Sequence, residues 1–75
     1  MDPVFAAEAY LNVALADEQR GELIKALKHL EEYRRLSEQS IRLRIDANLQ
    51  LTRVYLKLAE RRSIEDRLDH VINAY

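Results

Sequence analysis

The sequence predicts an all-α fold of four helices, arranged in one domain as two antiparallel helix-turn-helix units. Apolar residues recur at steps of three and four along most of the 75 residues, which is the spacing of amphipathic helices. Glycine and proline occur once each, too rarely for the turns of a β-rich fold. Residue sizes and helix starts also repeat at an offset of 38 residues, which predicts two units of similar layout.

The first unit covers about residues 2–37. Asp2 followed by Pro3 is a helix start, because an N-cap acceptor precedes proline at the first helical position. This helix is predicted to run to about Gln19, with a turn at Gly21. The second helix is predicted over about 23–37, on an apolar stripe of Leu23, Ala26, Leu27, Leu30, Tyr33 and Leu36.

The second unit covers about residues 40–75. Its first helix carries two apolar faces, so it is predicted to lie between two neighbours. One face is Ile41, Ile45, Leu49, Thr52, Leu56 and Ala59, and the other is Leu43, Ala47, Leu51, Val54 and Leu58. Residues 63–66 resemble a capping box, which predicts a fourth helix with the stripe Ile64, Leu68, Val71, Ile72 and Tyr75.

No catalytic, cofactor-binding or metal-binding residues are predicted. The chain has no cysteine, which excludes disulfides and thiolate sites. His29 and His70 lack the converging ligands of a metal site and are predicted to be exposed, as are adjacent carboxylates such as Asp17 and Glu18. We therefore expect no enzyme. The lack of cysteine and of long apolar runs favours a cytoplasmic protein without membrane contact.

Charge is unevenly distributed along the chain. Residues 34–62 carry eight arginines and lysines against three acids, whereas residues 1–33 carry seven acids against three bases. This asymmetry fits charge-complementary packing of the two units, a mixed solvated surface, or a basic groove for an acidic peptide. Nucleic acid is disfavoured as a partner, because no aromatic platform is interleaved with the basic residues.

The helical pattern resembles the tetratricopeptide repeat. The first unit matches its signature at Tyr10, Val13, Ala14, Gly21, Ala26 and Leu30, and the second at Leu51, Thr52, Tyr55, Ala59, Ile64 and Leu68. Asp17 and Asn48 depart from it, and the offset exceeds the usual length of about 34 residues. Longer, degenerate repeats of this kind look like those flanking output domains in bacterial signalling proteins and transcription regulators.

The resemblance implies a short solenoid that acts as a non-catalytic protein–protein interaction module of a signalling or transcription-regulatory protein. In such repeats, the first helix of each unit lines the groove that binds the partner. The partner-binding residues carried over in this way are Leu11, Leu15, Leu49, Arg53, Leu56 and Lys57. Arg53 and Lys57 would pair with a carboxylate of a protein or peptide partner.

The alternative is a helical dimerisation module. If residues 37–40 do not break the chain, residues 23–62 form one helix of about 60 Å that pairs with a second copy. Two repeats are fewer than the three that usually close a core, so the repeat interpretation predicts self-association or a parent protein that continues. The dimerisation interpretation also predicts self-association.

Overall fold

The computed structural model describes residues 2–74 and contains three helices there, so the prediction of four is wrong. The helices are α1 (Pro3–Gln19), α2 (Leu23–Leu36) and α3 (Ile41–Ala74). The first two have the predicted bounds, whereas the third and fourth predicted helices form one. Tyr75, predicted to close the fourth-helix stripe, lies outside the described residues.

Helix α1 begins and ends at the predicted signals. The Asp2 carboxylate accepts a hydrogen bond from the Val4 amide at 2.9 Å, and Pro3 occupies the first turn. Gly21 has a φ of +78°, the left-handed conformation that only glycine adopts without strain. The Gly21 amide donates to the Glu18 carbonyl and the Glu22 amide to the Asp17 carbonyl, both at 2.9 Å. These two bonds form the Schellman motif that reverses the chain.

The two serines of the second connection separate α2 from α3. The buried Ser37 hydroxyl donates to the Tyr33 carbonyl at 2.6 Å, satisfying a group at the end of α2. Ser40 Oγ accepts from the Leu43 amide at 3.3 Å and so caps α3. The alternative of one helix over 23–62 is therefore wrong.

Helix α3 continues through residues 63–66, where the sequence predicts a break. It has 34 residues, or about 51 Å at 1.5 Å per residue. No glycine or proline interrupts it, and a helical serine costs far less than the backbone hydrogen bonds that a break would forfeit. The second helix-turn-helix unit, and with it the two-repeat solenoid, is absent from residues 2–74.

The core lies where α2 packs antiparallel between α1 and α3. Alanine side chains at the contacts let the helices approach closely. The buried apolar residues are Ala7, Ala14, Leu23, Ala26, Leu27, Leu30, Tyr33, Ala47, Leu51 and Val54. Of the two predicted faces of α3, the one that contains Ala47 joins this core, and the one that begins at Ile41 faces solvent.

Beyond the core, α3 extends past the α1–α2 hairpin. Every residue from 59 to 73 is exposed. The last contact with the hairpin among the hydrogen bonds of residues 2–74 is that of the Arg61 guanidinium with the Gly21 carbonyl, at 3.1 Å. Residues 62–74 are called the projecting half below.

Gly21→Ala should destabilise the fold through its backbone alone. An added Cβ would meet only the Arg61 side chain, at an ordinary contact distance of 3.5 Å. The left-handed conformation costs an alanine about 1–2 kcal/mol, so the free energy of unfolding in urea should fall by that amount. Gly21→Asn, which tolerates this conformation better, should lose less. Equal stability of Gly21→Ala and the wild type would contradict this explanation.

Candidate functional site

The structure brings part of the predicted partner-binding set into a groove between α1 and α3. Leu15, Arg53 and Lys57 line this groove, together with Glu18, Gln19 and Gln50. Leu11 is half-buried and packs against the core. Leu49 and Leu56 lie on the solvent-facing side of α3 and are 63% and 60% exposed. Leu49 and Leu56 line an adjoining depression of α3 that shares Arg53 and Gln50 with the groove, whereas Leu11 lies apart from both.

The cations of the groove already have a carboxylate partner within the chain. Glu18 pairs with both Arg53 and Lys57, and its side chain is only 8% exposed. The pKa of Glu18 is lowered, mainly because its carboxylate accepts a hydrogen bond from Arg53. Burial acts in the opposite direction, and the contact with Lys57 lowers the pKa further. A peptide carboxylate would have to displace Glu18, so this contact agrees better with charge-complementary packing than with an open basic groove.

A second ionic cluster joins α1 to α2 around Asp17. One carboxylate oxygen of Asp17 lies 2.6 Å from His29 Nδ1, and the other accepts from Arg20 at 2.6 Å. Asp17 is 2% exposed and the Glu18 side chain 8%, so the prediction that these two carboxylates are solvated is wrong, whereas the His29 side chain is 34% exposed. Asp17 occupies the slot that holds an aromatic residue in the repeat signature. That core position was the available signal that its side chain is buried.

The environment of Asp17 favours its charged form. Burial raises the pKa of Asp17, but the hydrogen bonds from His29 and Arg20 and the attraction of both groups outweigh it. The pKa therefore lies below its ordinary value of 3.8. An ionised aspartate with a donor on each oxygen is an effective tie between two helices.

A third polar tie joins α2 to α3. The Tyr33 hydroxyl donates to Asp46 Oδ2 at 2.7 Å, from a side chain that is 1% exposed. Burial and the neighbouring carboxylate raise the pKa of Tyr33 above its usual range, so the hydroxyl stays protonated and can donate. The sequence pattern places Tyr33 in the core but does not identify its acceptor.

These three polar clusters each join two helices. Within residues 2–74, no three histidine, aspartate or glutamate side chains converge on a point where a metal could bind. In the same range, no helix is long and apolar enough to cross a membrane.

Helix α3 carries two exposed apolar surfaces. The first is the solvent-facing row Ile41, Ile45, Leu49, Thr52, Leu56 and Ala59, called the outward stripe. The second lies on the projecting half, where Ile64, Leu68, Val71 and Ile72 are 53–68% exposed. Contiguous apolar surface of this kind marks interaction sites in soluble proteins. These two surfaces, rather than the groove, are the most distinctive features of the described chain.

Comparison with protein-family models, with curated proteins and with solved structures gives no match to this chain.

Tyr33→Phe should lower stability by removing the hydrogen bond that the buried Tyr33 hydroxyl donates to Asp46. The buried ring is retained, so the expected loss in free energy of unfolding is about 1.5–3 kcal/mol, the range for a hydrogen bond to a charged group. Tyr55→Phe is the matched control, since Tyr55 is 50% exposed and its change should be close to zero. Equal urea midpoints for the two variants would show that the Asp46 contact does not stabilise the fold.

Asp17 should make stability depend on acidic pH. Its pKa is lower in the folded than in the unfolded state, so its contribution is present above its ordinary value of 3.8 and is lost as the pH falls through the lowered folded value. The advantage of the wild type over Asp17→Asn in urea unfolding should therefore be largest near neutral pH and shrink below pH 3.8. Glu31→Gln, at an exposed position, should show no such trend. A constant difference between wild type and Asp17→Asn across this range would refute the ionic role.

Proposed function

We propose that this chain is a non-catalytic protein–protein interaction module whose contact element is α3. The observation that carries the proposal is the amount of aliphatic surface that α3 leaves in water. Eight of its isoleucine, leucine and valine side chains are more than half exposed: Ile41, Ile45, Leu49, Leu56, Ile64, Leu68, Val71 and Ile72. Burying such area contributes about 25 cal/mol per Å².

The surroundings of α3 support a macromolecular partner. The outward stripe and the projecting half are long and open, whereas small-molecule sites are concave and enclose their ligand. A helix laid along an apolar face is a common mode of protein recognition. The outward stripe extends over about five turns and the apolar residues of the projecting half over about two, which suits a partner helix.

The resemblance to tetratricopeptide repeats supports the same function. The α1–α2 hairpin contains the closest match to that signature, at residues 21–30. In helical-repeat proteins each unit leaves an apolar face that a neighbouring element covers. By this resemblance we place the module in a signalling or transcription-regulatory protein, with a protein or peptide as its partner.

The module can be tested with a photo-crosslinking amino acid placed on α3. Benzoylphenylalanine is introduced at Leu49 of the outward stripe or at Leu68 of the projecting half. These two leucines have similar exposure. The matched control is the same probe at Lys28, an exposed position of α2 away from these surfaces. Each variant is irradiated in the cells from which the protein comes, and covalent adducts are identified by mass.

We expect protein adducts from one or both α3 positions and none from Lys28. The adduct mass also separates self-association from capture of a different chain. Equal yields at all three positions, or no protein adduct from either α3 position, would refute the proposed function.

A further inference from the structure

We propose that the outward stripe is a homodimer interface, in which α3 packs antiparallel against α3 of a second copy of this chain. This rests on the proposed function, because it names the partner of one of the two α3 surfaces. The occupant follows from the order of the side chains on the stripe and from the charges beside it.

The outward stripe has the composition of a buried face. From residue 41 to residue 59 its six members are uncharged, although four of them, Ile41, Ile45, Leu49 and Leu56, are 56–74% exposed. At about 100° per residue, the centre of the stripe lies about 150° around α3 from the core residues Ala47, Leu51 and Val54. The packed α1–α2 hairpin therefore cannot cover it.

The stripe is complementary to itself when reversed over its four central members, Ile45, Leu49, Thr52 and Leu56. From Ile45 to Ala59 the members are separated by four, three, four and three residues, the spacing of a coiled-coil seam, whereas Ile41 lies one residue off that spacing. A two-fold axis level with residues 50 and 51 sets Ile45 opposite the second copy's Leu56 and Leu49 opposite its Thr52. Each pairing occurs twice by symmetry, as a closed two-fold interface requires.

Charges beside the stripe agree with the same register. Asp46 and Arg53 lie on one flank of the seam, and reversal brings Asp46 within two residues of the level of the second copy's Arg53 on both sides of the axis. Arg53 already donates to Glu18 and Gln50, so its guanidinium would be shared between these acceptors and Asp46. Asp46 accepts the Tyr33 hydroxyl at Oδ2, which leaves Oδ1 for a second donor. The opposite flank pairs Asn48 with Tyr55, both uncharged. Such flanking pairs contribute to orientation and register more than to affinity.

A parallel pair fits less well. In that arrangement each residue of the seam faces its own copy. Arg42, three residues before Ile45, takes the next seam position and would lie close to Arg42 of the second chain, whereas the antiparallel register sets Arg42 level with the second copy's Ala59. Asp46 would then face Ile41 rather than a cation. Like charges brought together at a seam disfavour that orientation, and the antiparallel pair avoids this contact.

The first test is sedimentation equilibrium over a concentration series with two matched leucine variants. Wild type should rise from 8.8 kDa towards twice that mass. Leu49→Glu, on the stripe, should weaken the dimer by about tenfold or more, as expected for an interface anchor. Leu68→Glu, on the projecting half, should leave it unchanged. Both side chains are exposed in the single chain, so helicity by circular dichroism should be preserved in both variants.

The second test measures the orientation of the two helices by disulfide trapping. Because the chain has no native cysteine, only the introduced cysteines can form a disulfide. Ile45→Cys and Leu56→Cys are prepared as separate chains and oxidised alone or mixed. The antiparallel register predicts crosslinked dimer only in the mixture, because position 45 faces position 56 of the other copy. Crosslinking of each variant alone, without preference for the mixture, would overturn that register.

The outcomes separate this inference from the function on which it rests. A monomeric wild type, or a dimer broken by Leu68→Glu but not by Leu49→Glu, overturns the homodimer interface. Neither result removes photo-crosslinking of α3 to another protein. Conversely, a dimer sensitive to Leu49→Glu that crosslinks only in the mixture supports the inference.

Discussion

The structure depends on the burial of α2 between its two neighbours. Half of the buried apolar residues belong to this one helix: Leu23, Ala26, Leu27, Leu30 and Tyr33. Helix α1 adds two alanines, and α3 adds Ala47, Leu51 and Val54. Small side chains bring the helix axes close together, but they also keep the core small. Each outer helix consequently has only one side covered by the α2 contact.

Polar ties fix how the helices pack around so small a core. Asp17 joins α1 to α2, Tyr33 joins α2 to α3 through Asp46, and Glu18 joins α1 to α3 through Arg53 and Lys57. Apolar contact is non-directional and permits sliding, whereas a buried hydrogen bond holds only in one register. The groove that the repeat resemblance assigns to a partner is therefore partly used for the packing of the chain on itself.

The sequence predicts those parts of the fold that local chemistry decides. Helix ends lie at residues whose side chain or backbone acts on neighbouring backbone groups, and the sequence predicts these ends. Such residues are Asp2 with Pro3, Gly21, Ser37 and Ser40. The helix break predicted from the capping box at residues 63–66 is wrong. A capping sequence favours a helix start without forcing a break, and no residue there prevents α3 from continuing. The prediction that Asp17 is solvated is wrong for another reason. The burial of Asp17 depends on its contact with His29 of a neighbouring helix, which spacing along one helix does not reveal.

The length of α3 connects the fold to its proposed partner. An isolated helix as short as the projecting half is marginal in water, because most helix stability in proteins comes from packing of an apolar face. The packed part of α3 supplies a nucleus from which the helix can propagate, but it does not remove the cost of exposing Ile64, Leu68 and Val71. The outward stripe also exposes apolar side chains to water, on the side of α3 that faces away from α1 and α2. A chain that folds around one side of its longest helix therefore gains most from a partner that covers another side of the same helix.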